Sequence, residues 1–204
     1  MGDKLTKISE SDLLFCFDED WEVKRFDAHR FYKSVAGLGL KGVDFIGIYR
    51  GEKLVLIEVK NYVDRFVSDG RDPSKEFMDA PTAYLSKVAL KFRDSLKLVS
   101  IIQKYYQRQW WYRQCENYIF PKLSAQKLLL FESGFWYLAA HALTVANALE
   151  LVLWLEVDHV VANDYQKFQK ILREEASKYE IPPSAVHLQY QATANAVERK
   201  IVVV

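Results

Sequence analysis

An α/β fold with helices packed on a sheet is expected from three stretches of the chain. Residues 42–62 hold two runs rich in β-branched and aromatic residues around a short polar turn with Gly51, the pattern of a β-hairpin. Residues 82–117 follow a helical period, with Leu85, Val88, Ala89, Phe92, Leu96, Val99, Gln103, Tyr106 and Trp110 along one stripe. Residues 149–157 then read as a buried strand, and residues 164–179 as an amphipathic helix with Phe168, Ile171 and Leu172 inward. Hairpin, long helix, strand and helix in that order indicate layers of helix on sheet.

The elements follow in order. Residues 1–12 are polar and expected to be loose at the start. Leu13-Leu14-Phe15-Cys16-Phe17 is a short strand, Asp18-Glu19-Asp20 an acidic turn, and residues 21–26 a second strand. Asp27 suits the N-cap of a helix running to about Ala36, which Gly37 and Gly39 end. After the hairpin, residues 61–81 carry mixed charge with Gly70, Pro73 and Pro81, and read as a long surface loop, either a lid or a solvated connection. The helix over 82–117 is long enough that a break near residues 100–105 is expected. Residues 123–147 are apolar and helical with a break at Ser133-Gly134, and His141 among Ala and Leu suits a hydrogen-bonded core histidine. Pro182-Pro183 stops the chain before two late strands, 186–190 and 200–204, which could form a hairpin. One domain over 1–204 is expected, with its core in about 13–100 and 149–204 and a helical insertion over about 101–147.

Composition narrows the class. Half of the residues are hydrophobic, ordinary for a globular chain of 204 residues with room for a real core. Cys16 and Cys115 are far apart and lack metal-ligand spacing, and no secretory signal precedes them, so reduced thiols in a cytoplasmic protein are expected. Met1 to Thr6 fits the loose myristoylation pattern, for which chance is sufficient explanation. The most apolar stretch, residues 134–149, is shorter than the roughly 20 residues of a membrane span and is bracketed by Glu132 and Glu150, so a buried helix is expected. The net charge is +1, but its distribution is uneven. Residues 82–127 hold nine Lys and Arg against Asp94 and Glu116, a balance of +7, which leaves −6 for the rest. Such asymmetry suits a protein that meets a polyanion with one surface.

Three charged residues lie at the hairpin end far from its turn: Asp44, Glu58 and Lys60. Side chains alternate along a strand, so Glu58 and Lys60 share a face with Leu54 and Leu56, and Asp44 shares one with Ile46 and Ile48. A three-residue loop at 50–52 sets Tyr49 opposite Lys53 and Asp44 opposite Glu58. A two-residue loop would set Asp44 opposite Val59 and scatter the charges, since one step of slip reverses a face. The first register is expected. Two carboxylates and an ammonium at the rim of an apolar sheet form either an ion-pair cluster of the ordinary kind or a site for a hard divalent cation, for which one or two carboxylates plus waters suffice.

Asp44, with thirteen residues before Glu58-Val59-Lys60, resembles the PD-(D/E)xK motif of restriction-endonuclease-like phosphodiesterases. Val43 stands where that motif has Pro. The resemblance is firm over about residues 42–62. It implies a restriction-endonuclease-like mixed sheet flanked by helices, with a helical insertion after the (D/E)xK strand and an α-β-β-α-β core order. It further implies Asp44, Glu58 and the Val59 carbonyl as ligands of Mg²⁺ or Mn²⁺, and Lys60 as the catalytic lysine. A further acidic ligand often comes from the helix before the Asp strand, where Asp27 is available and Glu22 less so; simple capping is the alternative for Asp27. A basic residue from the helix after the motif often faces the phosphate. Lys91 suits that role and Lys87 is next, with Arg93 on the same helix; a solvated basic face is the alternative.

The function implied is metal-dependent hydrolysis of a phosphodiester, expected in DNA, by a cytoplasmic nuclease without membrane association. The alternative is a nuclease-like domain of weak or no activity that serves binding or assembly, for which a homodimer is a natural form. Tyr105, Trp111 and Tyr112 among Lys104, Arg108 and Arg113 could stack unpaired bases, make a subunit contact or simply pack. A non-nuclease α/β protein with an accidental motif is the third reading. Asp44 and Glu58 on opposite faces of the sheet would establish it.

Overall fold

The computed structural model describes residues 5–35, 37, 39–63, 72–158, 162–190 and 201–203. Among these, the expected α/β architecture is present as a five-stranded mixed sheet with helices on one face and a small antiparallel sheet on the other. The large sheet runs β3 (Trp21–Arg25), β4 (Phe45–Tyr49), β5 (Lys53–Asn61), β6 (Leu149–Glu156), β7 (Val186–Gln189). Its first three strands are antiparallel, and β6 and β7 join in parallel. The small sheet is β1 (Thr6–Glu10), β2 (Leu13–Phe17) and β8 (Ile201–Val203).

Alternation along β5 sorts its side chains into two cores. Leu54 and Leu56 join Ile46, Ile48, Leu151, Leu153 and Leu155 under the helices. Val55, Ile57 and Val59 face the other way, onto Phe15, Phe17, Trp21 and Val203. Both faces of the central strands are therefore dry, as their unbroken apolar runs require. Tyr49 pairs with Lys53 and Phe45 with Ile57, so the ladder has the expected register, and its continuation sets Asp44 across from Glu58. The turn between the strands has Arg50 and Gly51 at φ 51° and 72°, with Glu52 N–H donating to Tyr49 O at 3.0 Å.

The helices are α1 (Arg30–Val35), α2 (Pro73–Asp79), α3 (Pro81–Gln107), α4 (Trp110–Gln114), α5 (Ala125–Leu128), α6 (Glu132–Ala142) and α7 (Ala162–Ser177). α3, α6 and α7 cover the sheet: Leu85, Phe92, Val99, Trp136, Ala139, Phe168 and Leu172 are all buried in the helix-side core. From α1 onward the main elements run α1, β4, β5, α2, α3, α4, α5, α6, β6, so an α-β-β-α-β order holds only when α2 and α4 to α6 are counted as additions. The cysteines are free, and among the described residues no helix is long and apolar enough to cross a membrane.

Several expectations are corrected. Residues 6–10 are a strand rather than a loose leader, because Ser11 and Asp12 take positive φ and close a hairpin onto β2. The two late strands do not pair with each other: β7 lies parallel to β6, and β8 pairs with β2 in the small sheet. Within the expected loop after β5, residues 73–79 form α2, capped by Asp72, whose side chain accepts from Lys75 N–H at 3.1 Å. Residues 64–71, and with them Gly70, lie outside the described residues, as do residues 1–4. The long helix runs unbroken through residues 100–105 and ends at Gln107, beyond which Trp110 is 72 % exposed instead of extending the buried stripe. Ser133 and Gly134 lie inside α6, where Gly134 is required because a Cβ there would come within 2.1 Å of Leu128 O. His141 is exposed at the end of that helix, not in the core.

Candidate functional site

The site forms where β4 begins and β5 ends. Glu58 takes the position that follows Leu54 and Leu56 on the helix-side face, so alternation drives its carboxylate beneath α3 and leaves it fully buried. Its Oε1 accepts from Lys60 Nζ at 2.5 Å and from Lys91 Nζ at 2.7 Å. Its Oε2 is buried with no hydrogen-bond partner among the described residues. Asp44, half-buried, accepts from Val59 N–H on Oδ2 at 2.7 Å, which ties the start of β4 to the motif strand. Lys60 Nζ also donates to the Val59 carbonyl at 3.2 Å.

Charge in this corner is balanced by neighbours rather than by water. Burial pushes the Glu58 carboxyl above its ordinary range; the Lys60 ammonium pulls it down, the Asp44 charge pushes it up, and Lys91 pulls down again. The ladder register sets Asp44 across from Glu58, and its charge acts on the Glu58 carboxyl, so the two acids are neighbours at the end of the hairpin.

α3 contributes more than Lys91. One turn further on, Asp94 and Ser95 are buried, and both reach across to the segment that delivers Asp44. Asp94 Oδ2 accepts from Lys41 N–H at 3.1 Å and Ser95 Oγ accepts from Val43 N–H at 3.0 Å. Asp94 Oδ1 is held by Arg93, through Nε at 3.0 Å and Nη2 at 2.7 Å. The helix thus grips both carboxylate-bearing strands, Glu58 by Lys91 and the approach to Asp44 by Asp94 and Ser95. These two residues were not anticipated: Ser95 borders the apolar stripe of the helix, but Asp94 falls on the side away from it, so its burial against residues 41–43 left no periodic signal.

A cavity of about 190 Å³ opens beside Glu58, bordered by Lys41, Lys60, Lys87 and Lys91 and walled by Tyr62, Phe77 and Tyr84. Lys87 lies one turn before Lys91, on the same side of α3, with its Nζ 5.1 Å from the Tyr84 ring centre. Arg93 does not join them. Two residues from Lys91, it projects about 200° around the helix, where it holds Asp94 and lies over Tyr179 at 5.0 Å. Arg93 is thus engaged in an ion pair on another side of α3 from the cavity.

Asp27 also stands apart. It is exposed, its only polar contact among the described residues is Arg25 Nε at 4.0 Å, and α1 starts three residues later without its side chain as a cap. Glu22 is paired with Lys24 at 3.3 Å. The structure brings together Asp44, Glu58, Val59, Lys60, Lys87 and Lys91 from the expected set, and adds Lys41, Asp94 and Ser95.

Whether this corner suits a hard cation is a question of donors. Among the described residues no group of three or more His, Cys, Asp or Glu converges here or elsewhere. Two carboxylates and a carbonyl nevertheless meet the need of Mg²⁺, which retains several waters, and Glu58 Oε2 is a buried acceptor without a donor among the described residues. The donor set fits. Comparison with family models, with curated proteins and with solved structures gave no match to this chain.

Proposed function

We propose that the chain is a metal-dependent phosphodiesterase of the restriction-endonuclease-like kind, acting on DNA. The observation that carries this reading is the buried Glu58 carboxylate, with one oxygen unpartnered, beside Asp44 and held by two ammonium groups. Asp44, Glu58 and the Val59 carbonyl would hold Mg²⁺ or Mn²⁺. Bound there, such an ion supplies charge that polarises a phosphate oxygen and acidifies water.

The chain's own groups account for the remaining needs of phosphodiester hydrolysis. Lys60, a third exposed, places an ammonium where it can orient an attacking water and offset charge on the phosphorane-like transition state. Lys91 and Lys87 offer cations to the flanking phosphate oxygens from one side of α3. The apolar sheet beneath keeps the local dielectric low, which strengthens each of these interactions. Asp94 and Ser95 keep the Asp44 segment in register with the motif strand.

Lys60→Ala is expected to abolish Mg²⁺-dependent cleavage of plasmid and oligonucleotide DNA while leaving the fold intact by circular dichroism. A wild-type chain that cuts neither DNA nor RNA and binds no Mn²⁺ by calorimetry would overturn the proposal. A second reading, a domain kept for assembly with little or no activity, draws support from the large apolar residues exposed from the start of α4 to the start of α6: Trp110, Tyr118, Ile119, Leu130 and Phe131.

A further inference from the structure

We propose that the cavity beside Glu58 receives one unpaired nucleobase, so that the substrate is single-stranded nucleic acid or an unpaired end. The inference rests on the hydrolase reading of the same site and names its substrate class. Three features of the cavity carry it.

The first is size. At about 190 Å³ it far exceeds the ~30 Å³ share of a single water, and lies below the range of drug-sized sites, from ~300 Å³ upward; it suits one planar ring system. The second is the wall. Tyr62, Phe77 and Tyr84 form a mutually packed aromatic set, with ring centres 5.7 Å apart for Tyr62–Phe77, 6.2 Å for Tyr62–Tyr84 and 5.8 Å for Phe77–Tyr84. Leu153 and Leu155 of β6 line the same space. Inorganic phosphate alone would leave these apolar surfaces wet, whereas a heterocycle covers them and stacks.

The third is charge. Lys60 and Lys91 are each paired with Glu58, whereas Lys41 and Lys87 have no salt-bridge partner among the described residues. Two uncompensated ammonium groups at the mouth of an aromatic-walled cavity match a base with its adjoining phosphate. A base inside a duplex cannot enter such a space without being unpaired and unstacked first, a cost that a single strand escapes. The cavity also shares Glu58 and Lys60 with the proposed hydrolytic centre, so a seated base would bring its neighbouring phosphate beside those groups.

The test uses the full chain in EDTA, with a deoxythymidine tetranucleotide and its fully abasic counterpart as competing ligands. The intact strand is expected to bind roughly tenfold or more tightly than the abasic one, the effect of losing base–aromatic stacking, and Tyr84→Ala is expected to erase most of that difference. In the wild-type protein, 2-aminopurine placed in the same tetranucleotide is expected to be quenched on binding, and the same label in a blunt duplex is not. Equal affinity of intact and abasic strands, unquenched 2-aminopurine, or a base preference that survives Tyr84→Ala would each overturn the pocket. Cleavage by the wild type in Mg²⁺ separates the two readings. Cleavage with no base preference sinks the pocket and leaves the hydrolase; base preference with no cleavage in Mg²⁺ or Mn²⁺ sinks the hydrolase and leaves the pocket.

Discussion

Glu58 occupies a position that the alternation of β5 would otherwise give to a leucine. Its side chain is fully buried, and its protonation is set by burial first and by Lys60, Asp44 and Lys91 after that. Since the folded-state pKa is raised, the stability contributed by this group is fully present below the unfolded carboxyl value and is lost as pH rises through the folded one. Cation binding has the opposite sign, because a ligand must be ionised. Mn²⁺ affinity is therefore expected to climb as pH rises from the ordinary value of 4.5 toward neutrality, by up to about tenfold per pH unit until Glu58 is ionised; calorimetric titrations over that range measure it, and Glu58→Gln is expected to flatten the profile. Ser95 is the second residue with a stake in the site. Ser95→Ala removes the acceptor for the Val43 N–H and is expected to cost about 1–3 kcal/mol in urea unfolding, together with a loss of Mn²⁺ affinity if the Asp44 segment loosens.

Among the elements, the β4–β5 hairpin and α3 do most to build the site. The turn sets which face receives the acids, and Gly51 is essential to it: φ is +72°, and a Cβ would lie 2.1 Å from Ala125 Cβ. Gly51→Ala is expected to destabilise the chain by more than about 1 kcal/mol, read by the midpoint of chemical unfolding. The hairpin register was one of two that the sequence allowed: both faces of the strands are apolar, so the apolar pattern does not set the offset, and the one that aligns Asp44 with Glu58 is the one that forms. α3 was legible as a helix through its stripe, but its end was not. Tyr106 is the last buried member, and Trp110 falls after the helix has ended at Gln107, so tertiary packing, not periodicity, terminates it. α6 shows the converse. Ser133-Gly134 looks like a break in one dimension, yet the backbone of Leu128 passes so close that only glycine fits inside the helix there.

At the scale of the whole molecule, helices and the small sheet sandwich the five-stranded sheet. The site sits at one end of this sandwich, where two strands finish and one helix crosses. The basic excess over residues 82–127 is divided in space: Lys87 and Lys91 turn to the cavity, while Arg93 is spent on Asp94. The exposed apolar residues from α4 to the start of α6 lie on the segment that separates α3 from β6. On the assembly reading, light scattering is expected to find a dimer that Trp110→Lys returns to monomer. A monomer at every concentration would remove the support that these residues give to that reading.

Local patterning determined the α/β class, the hairpin, and the face that Glu58 and Lys60 share with Leu54 and Leu56, because these depend on periods of two and of 3.6 residues. The register was one of two that the pattern left open, and Lys91 was indicated by the resemblance and not by any period. The partnering of β8 with β2, the parallel placement of β7, the grip of Asp94 and Ser95 on residues 41–43, and the aromatic-walled cavity were decided only in three dimensions. Each joins residues distant in sequence, and no local period records which distant strand or backbone amide a side chain will meet.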